Sequence, residues 1–175
     1  MSKKVAVLAV NPVNGSGLFQ YLETFFEKGI SYKVFAVSDT KTIRTNSGIP
    51  LEADDIIAHL SGHSDEFDAL VFSCGDAVPV FQQYADKPYN VDLMEVIKTF
   101  GEKGKVMIGH CAGGLIFEIA GITEGKRLAI HPLAKAAIQK GIATDEPAVI
   151  DDNFYTAQCE HTLPVLMPRL VEALA

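Results

Sequence analysis

Apolar and polar positions along the chain alternate between two periods. Val5–Val10 is an unbroken apolar run rich in valine, the pattern of a strand buried on both faces. Asn14-Gly15-Ser16-Gly17 reads as a turn. Leu18, Phe19, Leu22, Phe25 and Phe26 then mark one face of a helix over Leu18–Lys28, stopped by Gly29. Tyr32–Val37 predicts a second strand. Thr42–Ala53 predicts a small hairpin excursion turning at Asn46-Ser47-Gly48, and Asp54–Leu60 a helix. Ala69–Ser73 is a third core strand, Val91–Phe100 an amphipathic helix, and Lys105–Ile108 a strand again. Gly113–Ala120 is almost wholly apolar, so its helix is expected to be buried. Arg127–Ile130 predicts a strand and Pro132–Gln139 a helix with proline in its first turn. Val149–Asp151 and Phe154–Ala157 read as paired short strands, and Leu163–Ala173 as the last helix.

This βα rhythm implies an α/β fold with a mainly parallel sheet and helices on both faces. Function in such sheets gathers at the carboxyl ends of the strands. Asn11, Cys74, Gly109–Cys111, His131 and Cys159 all follow predicted strands. A length of 175 residues, 48% apolar and 21% charged, suits one globular domain over the whole chain. A formal net charge of −7 argues against a nucleic-acid partner. No apolar run approaches the roughly 20 residues of a membrane span. Lys3-Lys4 before Val5–Val10 resembles the start of a leader, but Asn11-Pro12 ends the run too soon. An odd set of three cysteines suggests free thiols in a reducing compartment, hence the cytoplasm, rather than a disulfide framework.

The sharpest local signal is Gly109-His110-Cys111-Ala112-Gly113. It follows an apolar strand and opens an apolar helix, the context of a nucleophile elbow. Flanking glycines let the backbone turn sharply and lift the sulfur out of the sheet. Free N–H groups at the helix amino end favour thiolate over thiol. A buried cysteine in a glycine-rich turn is the plainer alternative. His131-Pro132 ends the next predicted strand. A right-handed crossover would bring that strand back parallel to the elbow strand, placing His131 on the same sheet edge as Cys111. There it could act as base, acid or thiolate partner. Spacing alone equally allows a histidine that merely caps its strand. His110 precedes the nucleophile position and is expected to point into the sheet, as a packed, hydrogen-bonded side chain.

These segments together resemble the ThiJ/PfpI family, and most closely its Parkinson's-linked deglycase branch. Gly109–Gly113 matches the reactive elbow. His131-Pro132-Leu133-Ala134-Lys135, twenty residues after the cysteine, matches that branch's histidine motif. Val5–Val10 and Asp68–Gly75 fit the first and third core strands, and Tyr155-Thr156 through Leu174 fits the tail. The resemblance implies a flavodoxin-like three-layer sandwich, usually homodimeric. It also implies cysteine chemistry on glyoxal-type carbonyls, glycated adducts or peptides, with no cofactor. Gly75 matches the second glycine of the family's turn, whose N–H would bind an oxyanion together with that of Ala112. A plain turn glycine is the alternative.

The chain departs from the family in four places. The glutamate that hydrogen-bonds the cysteine falls on Gly17, with Asn14 the nearest polar substitute. The peptidase branch has histidine after the cysteine, where Ala112 stands. Cys74 replaces the first glycine of the turn, and Cys159-Glu160-His161 replaces a glycine-proline loop beside the pocket. Cys74 could be a small buried residue and Glu160 and His161 solvated loop residues. Alternatively Glu160 could replace the missing acid, or a second sulfur could pair with Cys111. The ligand spacing fits no standard zinc motif, so no metal is expected. The leading expectation is a thiol enzyme acting on a small carbonyl or amide substrate through Cys111 and His131. A redox-sensing or protective stress protein with little turnover and an intracellular cysteine peptidase are the alternatives. The glycine-rich Asn14–Gly17 loop lacks a full dinucleotide fingerprint.

Overall fold

The computed structural model describes residues 2–175. In chain order the elements are β1 (Lys4–Ala9), α1 (Gly15–Glu27), β2 (Ser31–Ala36), β3 (Thr42–Arg44), β4 (Pro50–Glu52), β5 (Asp55–Ile56) and β6 (Ala69–Ser73). They continue with α2 (Pro88–Glu102), β7 (Val106–His110), α3 (Gly113–Ile119), β8 (Arg127–Ala129), β9 (Ile142–Thr144), β10 (Ala148–Asp151), β11 (Phe154–Ala157) and α4 (Leu163–Leu174). Seven strands form the main sheet in the order β10-β11-β7-β6-β1-β2-β5, antiparallel only between β10 and β11. The architecture is the flavodoxin-like α/β sandwich the sequence implied.

Consecutive strand residues point to opposite faces. At the end of β7, His110 meets Tyr21 of α1, while an added carbon on Gly109 would meet Phe117 of α3. The two helices therefore lie on opposite sides of the sheet. α1 packs against α4, and α2 against α3. Val5 to Ala9 are fully buried, as the unbroken apolar run required. Tyr21, Phe25, Leu166 and Leu170 fill one layer, and Leu93, Ile97, Ile116 and Phe117 the other. Burying each large apolar side chain contributes about 1.5–3 kcal/mol.

Four expectations need correction. Asn14–Gly17 is the first turn of α1 rather than a separate turn: Asn14 is its N-cap, its Oδ1 accepting the Gly17 N–H at 2.6 Å. Asp54–Leu60 is not an α-helix. Asp55–Ile56 pairs with β2 as an edge strand, anchored where Asp54 Oδ2 accepts the Val34 N–H at 2.8 Å, and only Ile57–His59 makes a 3₁₀ turn. The apolar residues Ala53, Ile57 and Leu60 are buried, but a short strand and a tight turn bury them as well as a helix would. Pro132–Gln139 shortens to a 3₁₀ segment, Pro132–Ala137, with no buried residue and hence no apolar face to hold an α-helix.

The fourth correction bears on the site. The strand at Arg127–Ala129 does not join the main sheet next to β7; it pairs with β9 in a separate two-stranded sheet. β11 takes the place beside β7. Side chains hold β8 against that hairpin: Asp151 Oδ2 accepts the Arg127 N–H and Thr156 Oγ1 the Ala129 N–H, both at 2.8 Å. His131 still reaches the elbow, carried there by β8 from outside the sheet.

Candidate functional site

Cys111 follows β7 directly and has φ +58°, a left-handed conformation that costs a non-glycine residue about 1–2 kcal/mol. Its neighbours fix it there. Its N–H donates to the Ala157 carbonyl at 3.1 Å, and its own carbonyl accepts the His131 N–H at 2.9 Å. A side chain at position 109 would press on Phe117 at 3.2 Å. The strand-elbow-helix reading of the sequence is thus realised, with the sulfur half-buried. No side chain caps the start of α3 at Ala112.

Cys74 lies beside it. The β6–β7 register, Phe72 opposite Gly109, carries two residues further to bring the two cysteines to one sheet edge. The Cys111 thiol is pulled below its ordinary range, first by hydrogen bonding from the Cys74 thiol. Burial opposes this, the Ala112 N–H assists it, and the carboxylates of Glu160 and Asp76 oppose it. Cys74 is pushed well upward, by the same partner and by burial. Of the pair, Cys111 is the thiol that ionises more readily and Cys74 the one that holds its proton longer. The backbone amides of Ala112 and Gly75 act the other way on Cys74, favouring its charged form, but less than Cys111 and burial oppose it. Gly75 tolerates no side chain: a Cβ there would lie 2.2 Å from the Pro12 carbonyl and 2.5 Å from Val13 Cα. The same loop is pinned by the Asn14 N–H, which donates to the Cys74 carbonyl at 2.9 Å.

His110 points away from the cavity into the α1 layer, as expected for the residue before the nucleophile. It is 1% exposed. Nδ1 lies 3.0 Å from the Tyr21 hydroxyl, and Nε2 has no partner. Burial, slightly offset by Glu160, lowers its pKa to about 4, so the ring is neutral near pH 7. The space it fills accounts for Gly17. A Cβ at position 17 would stand 2.4 Å from His110 Nε2 and 2.9 Å from Asn14 Oδ1. The imidazole occupies the room that a glutamate at this position would need.

A cavity of about 710 Å³ opens over Cys111. Asn14, Cys74, Gly75 and Ala112 line it with Cys111. So do His131, Cys159, Glu160 and His161. Gly17 and His110 lie beneath and do not. His131 Nδ1 accepts the Leu133 N–H at 3.2 Å, leaving Nε2 as the protonated nitrogen. Glu160 is held by its carbonyl, which accepts from Gln20 Nε2 at 3.0 Å, and its carboxylate lies 3.7 Å from His161 Nε2. The Cys159 N–H donates to Thr162 Oγ1 at 3.1 Å. Sequence reasoning missed Asp76, which lines the cavity, and Tyr21, the partner of His110. Asp76 follows Gly75 directly, and Tyr21 is one helical turn beyond Gly17; the two spacings were the available signals. A second cavity of about 300 Å³, lined by Phe81, Tyr84 and Tyr89 among others, contains no cysteine or histidine. Among the described residues no group of three or more His, Cys, Asp or Glu side chains is placed to hold a metal ion. Among them, too, no helix is long and apolar enough to cross a membrane.

Comparison with known proteins fits this geometry. The chain is 75% identical over 174 residues to Protein ppBat of Bacteroides thetaiotaomicron, covering 99% of each chain. It is 74% identical to a crystal structure titled "putative protease I" from the same organism, with a TM-score of 0.99 over 99% of this chain and 100% of that one. Toxoplasma gondii DJ-1 in an oxidized form shares the fold at 18% identity, with a TM-score of 0.85 over 99% of this chain and 91% of that one. Residues 3–173 match the DJ-1/PfpI family, to which this chain belongs.

Proposed function

We propose that the chain is a cysteine-dependent enzyme acting on small carbonyl or amide substrates. The observation that carries this is Cys111 itself: a thiol with a lowered pKa, held at positive φ, opening into the 710 Å³ cavity. The Cys111 thiolate adds to the carbonyl carbon, and the carbonyl π-electrons move to oxygen. The Gly75 and Ala112 N–H groups receive that oxyanion. His131 takes the proton that Cys111 gives up, becoming an imidazolium; with an aldehyde it returns that proton to the oxygen, which gives a hemithioacetal and a neutral imidazole. With an amide, the tetrahedral intermediate expels the amine, which takes its proton from His131. Water then hydrolyses the thioester. Timed iodoacetamide labelling with peptide mass spectrometry is expected to modify Cys111 before Cys74 or Cys159. Cys111→Ser is expected to abolish methylglyoxal consumption and ester hydrolysis. Full turnover in Cys111→Ser would overturn the reading.

A second reading is favoured by Cys74: a redox-active thiol protein in which peroxide oxidises Cys111 to the sulfenic acid, releasing water. The Cys74 thiol then condenses with it, releasing a second water and forming a disulfide. Intact mass after dilute peroxide separates the readings, since this route loses two hydrogens where over-oxidation adds oxygen. The name of the Bacteroides relative points to a peptidase, which would require peptide-bond cleavage dependent on Cys111. The family resemblance further supports a cytoplasmic homodimer, checked by sedimentation equilibrium and fractionation.

A further inference from the structure

We propose that the Cys111 cavity takes uncharged or cationic carbonyl, amide or ester substrates and excludes those bearing a carboxylate near the reacting carbon. This deepens the thiol-enzyme reading and rests on it for the identity of the nucleophile. Two carboxylates, Asp76 and Glu160, line the cavity, and no lysine or arginine does. Both act electrostatically on the Cys111 sulfur, each disfavouring negative charge there. Neither is neutralised by a strong partner. Among the described residues Glu160 has one ionic partner, His161 at 3.7 Å, whose side chain is 83% exposed and which is cationic only when protonated. The Asp76 backbone N–H donates to Asn46 Oδ1 at 3.0 Å, and its carboxylate is in no ion pair among the described residues. Cations on flanking segments are engaged elsewhere: Lys135 with Asp145 at 2.7 Å, and Arg44 with the Gly48 carbonyl at 2.7 Å.

The remaining wall is largely apolar, with Val78, Leu115 and Leu133 facing the opening. An incoming carboxylate finds no guanidinium or ammonium to hold it and two like charges that repel it. Coulomb energies between charges several ångströms apart in partly solvated sites are large enough to change rates about tenfold. The Gly75 and Ala112 amides serve a small oxyanion at the reacting carbon, but they offer nothing to a second anion further out. Uncharged carbonyls, and amides or esters with apolar or cationic acyl groups, meet no such penalty.

The test compares alkylation of Cys111 by iodoacetamide and by iodoacetate, reagents with the same leaving group and different charge. Rates are read by peptide mass spectrometry at pH about 8, above the ordinary imidazole range, and at low ionic strength. Their ratio is normalised to that of 2-mercaptoethanol, so the thiolate fraction of Cys111 cancels and no turnover is needed. The expected normalised preference for iodoacetamide is about tenfold, shrinking as salt is raised. The double variant Asp76→Asn, Glu160→Gln is expected to bring it within about threefold of the free thiol. Glu27→Gln with Glu102→Gln removes the same total charge at the far ends of α1 and α2 and is expected to leave the preference intact. A wild-type ratio equal to that of 2-mercaptoethanol overturns the proposal. So does a preference that survives the Asp76/Glu160 changes, or one that Glu27/Glu102 removes equally. Failure of both reagents to modify Cys111 overturns the thiol reading along with it, and so is distinguishable from a loss of charge selection alone.

Discussion

His110 and His131 flank one cysteine and live in opposite surroundings. His110 is sealed under the elbow between Tyr21 and Gly17, with one ring nitrogen unpartnered. His131 stands at the rim of the cavity, tied to the elbow by its own N–H on the Cys111 carbonyl. Proton transfer needs a ring that can gain and lose a proton in contact with substrate. Burial denies that to His110, whose pKa falls to about 4. The lower region is built to be filled and the upper one to be open. Residue type is shared, and accessibility is what separates the two.

The largest test of this contrast is kinetic. His131→Ala is expected to lower methylglyoxal or ester turnover by about 10²–10⁴, the range for losing an acid–base group, with little change in melting temperature. His110→Ala is expected to do the reverse, losing stability because it leaves a cavity and an unpaired buried Tyr21 hydroxyl. Parallel kinetics and thermal melts of both variants check it. Equal kinetic losses at unchanged stability would break the comparison.

The next effect is on pH. In the unfolded chain an ordinary imidazole titrates near 6.5, whereas buried His110 resists protonation until about 4. The unfolded state takes the proton first. Stability is therefore complete above about pH 6.5 and is lost as pH falls toward 4, by about 3 kcal/mol in all. Denaturant titrations between pH 7 and 4 are expected to show this slope in the wild type and in His131→Ala, and to show it flattened in His110→Ala. Glu118 falls in a separate window. Hydrogen bonds from the Lys140, Gly141 and Gln139 amides and from Thr123 overcome its burial and hold its pKa at about 2. Its contribution, present above the usual carboxylate range, is lost only as pH falls from there toward 2.

Packing gives a smaller effect. Gly17→Ala places a carbon against His110 and is expected to cost about 1–3 kcal/mol, the range for overpacking. Added to His110→Ala, the same change is expected to cost markedly less, a coupling of about 0.5–3 kcal/mol in a double-mutant cycle. Additive costs would mean that the two residues do not share one space.

Gly17 also shows what the sequence could and could not convey. Resemblance located the position and the missing acid, because both depend on spacing along α1. It could not show that His110 fills the gap, since that contact joins residues from β7 and α1 that lie far apart in the chain. The elbow was legible because its strand, glycines and apolar helix are contiguous. The strand at Arg127–Ala129 was misplaced because local pattern says "strand" without naming a partner. The place beside β7 is taken by β11, and Asp151 and Thr156 of that later hairpin hold β8 outside the sheet. The cavity's charge was legible only in half: Glu160 was among the candidates, and Asp76 was not.

The smallest expected effect sharpens the contrast within the cavity itself. Cys74 is almost fully buried and its thiol is pushed upward, while Cys111 is half-buried and its thiol is pulled downward. The strongest cause of that division is hydrogen bonding from Cys74 to Cys111, with the Ala112 amide a lesser one. Cys74→Ala removes the donor but leaves burial and the two carboxylates in place, all of which oppose a charged sulfur. The pH of half-maximal alkylation of Cys111 by iodoacetamide is therefore expected to rise, and the rate at neutral pH to fall. Cys74→Ser, which keeps a donor at nearly the same place, is expected to shift that midpoint less than Cys74→Ala. The effect stays modest because the Ala112 amide remains in both variants. If Cys74→Ala leaves the midpoint unchanged, the amide alone sustains the thiolate, and Cys74 is a small buried residue filling a glycine's place.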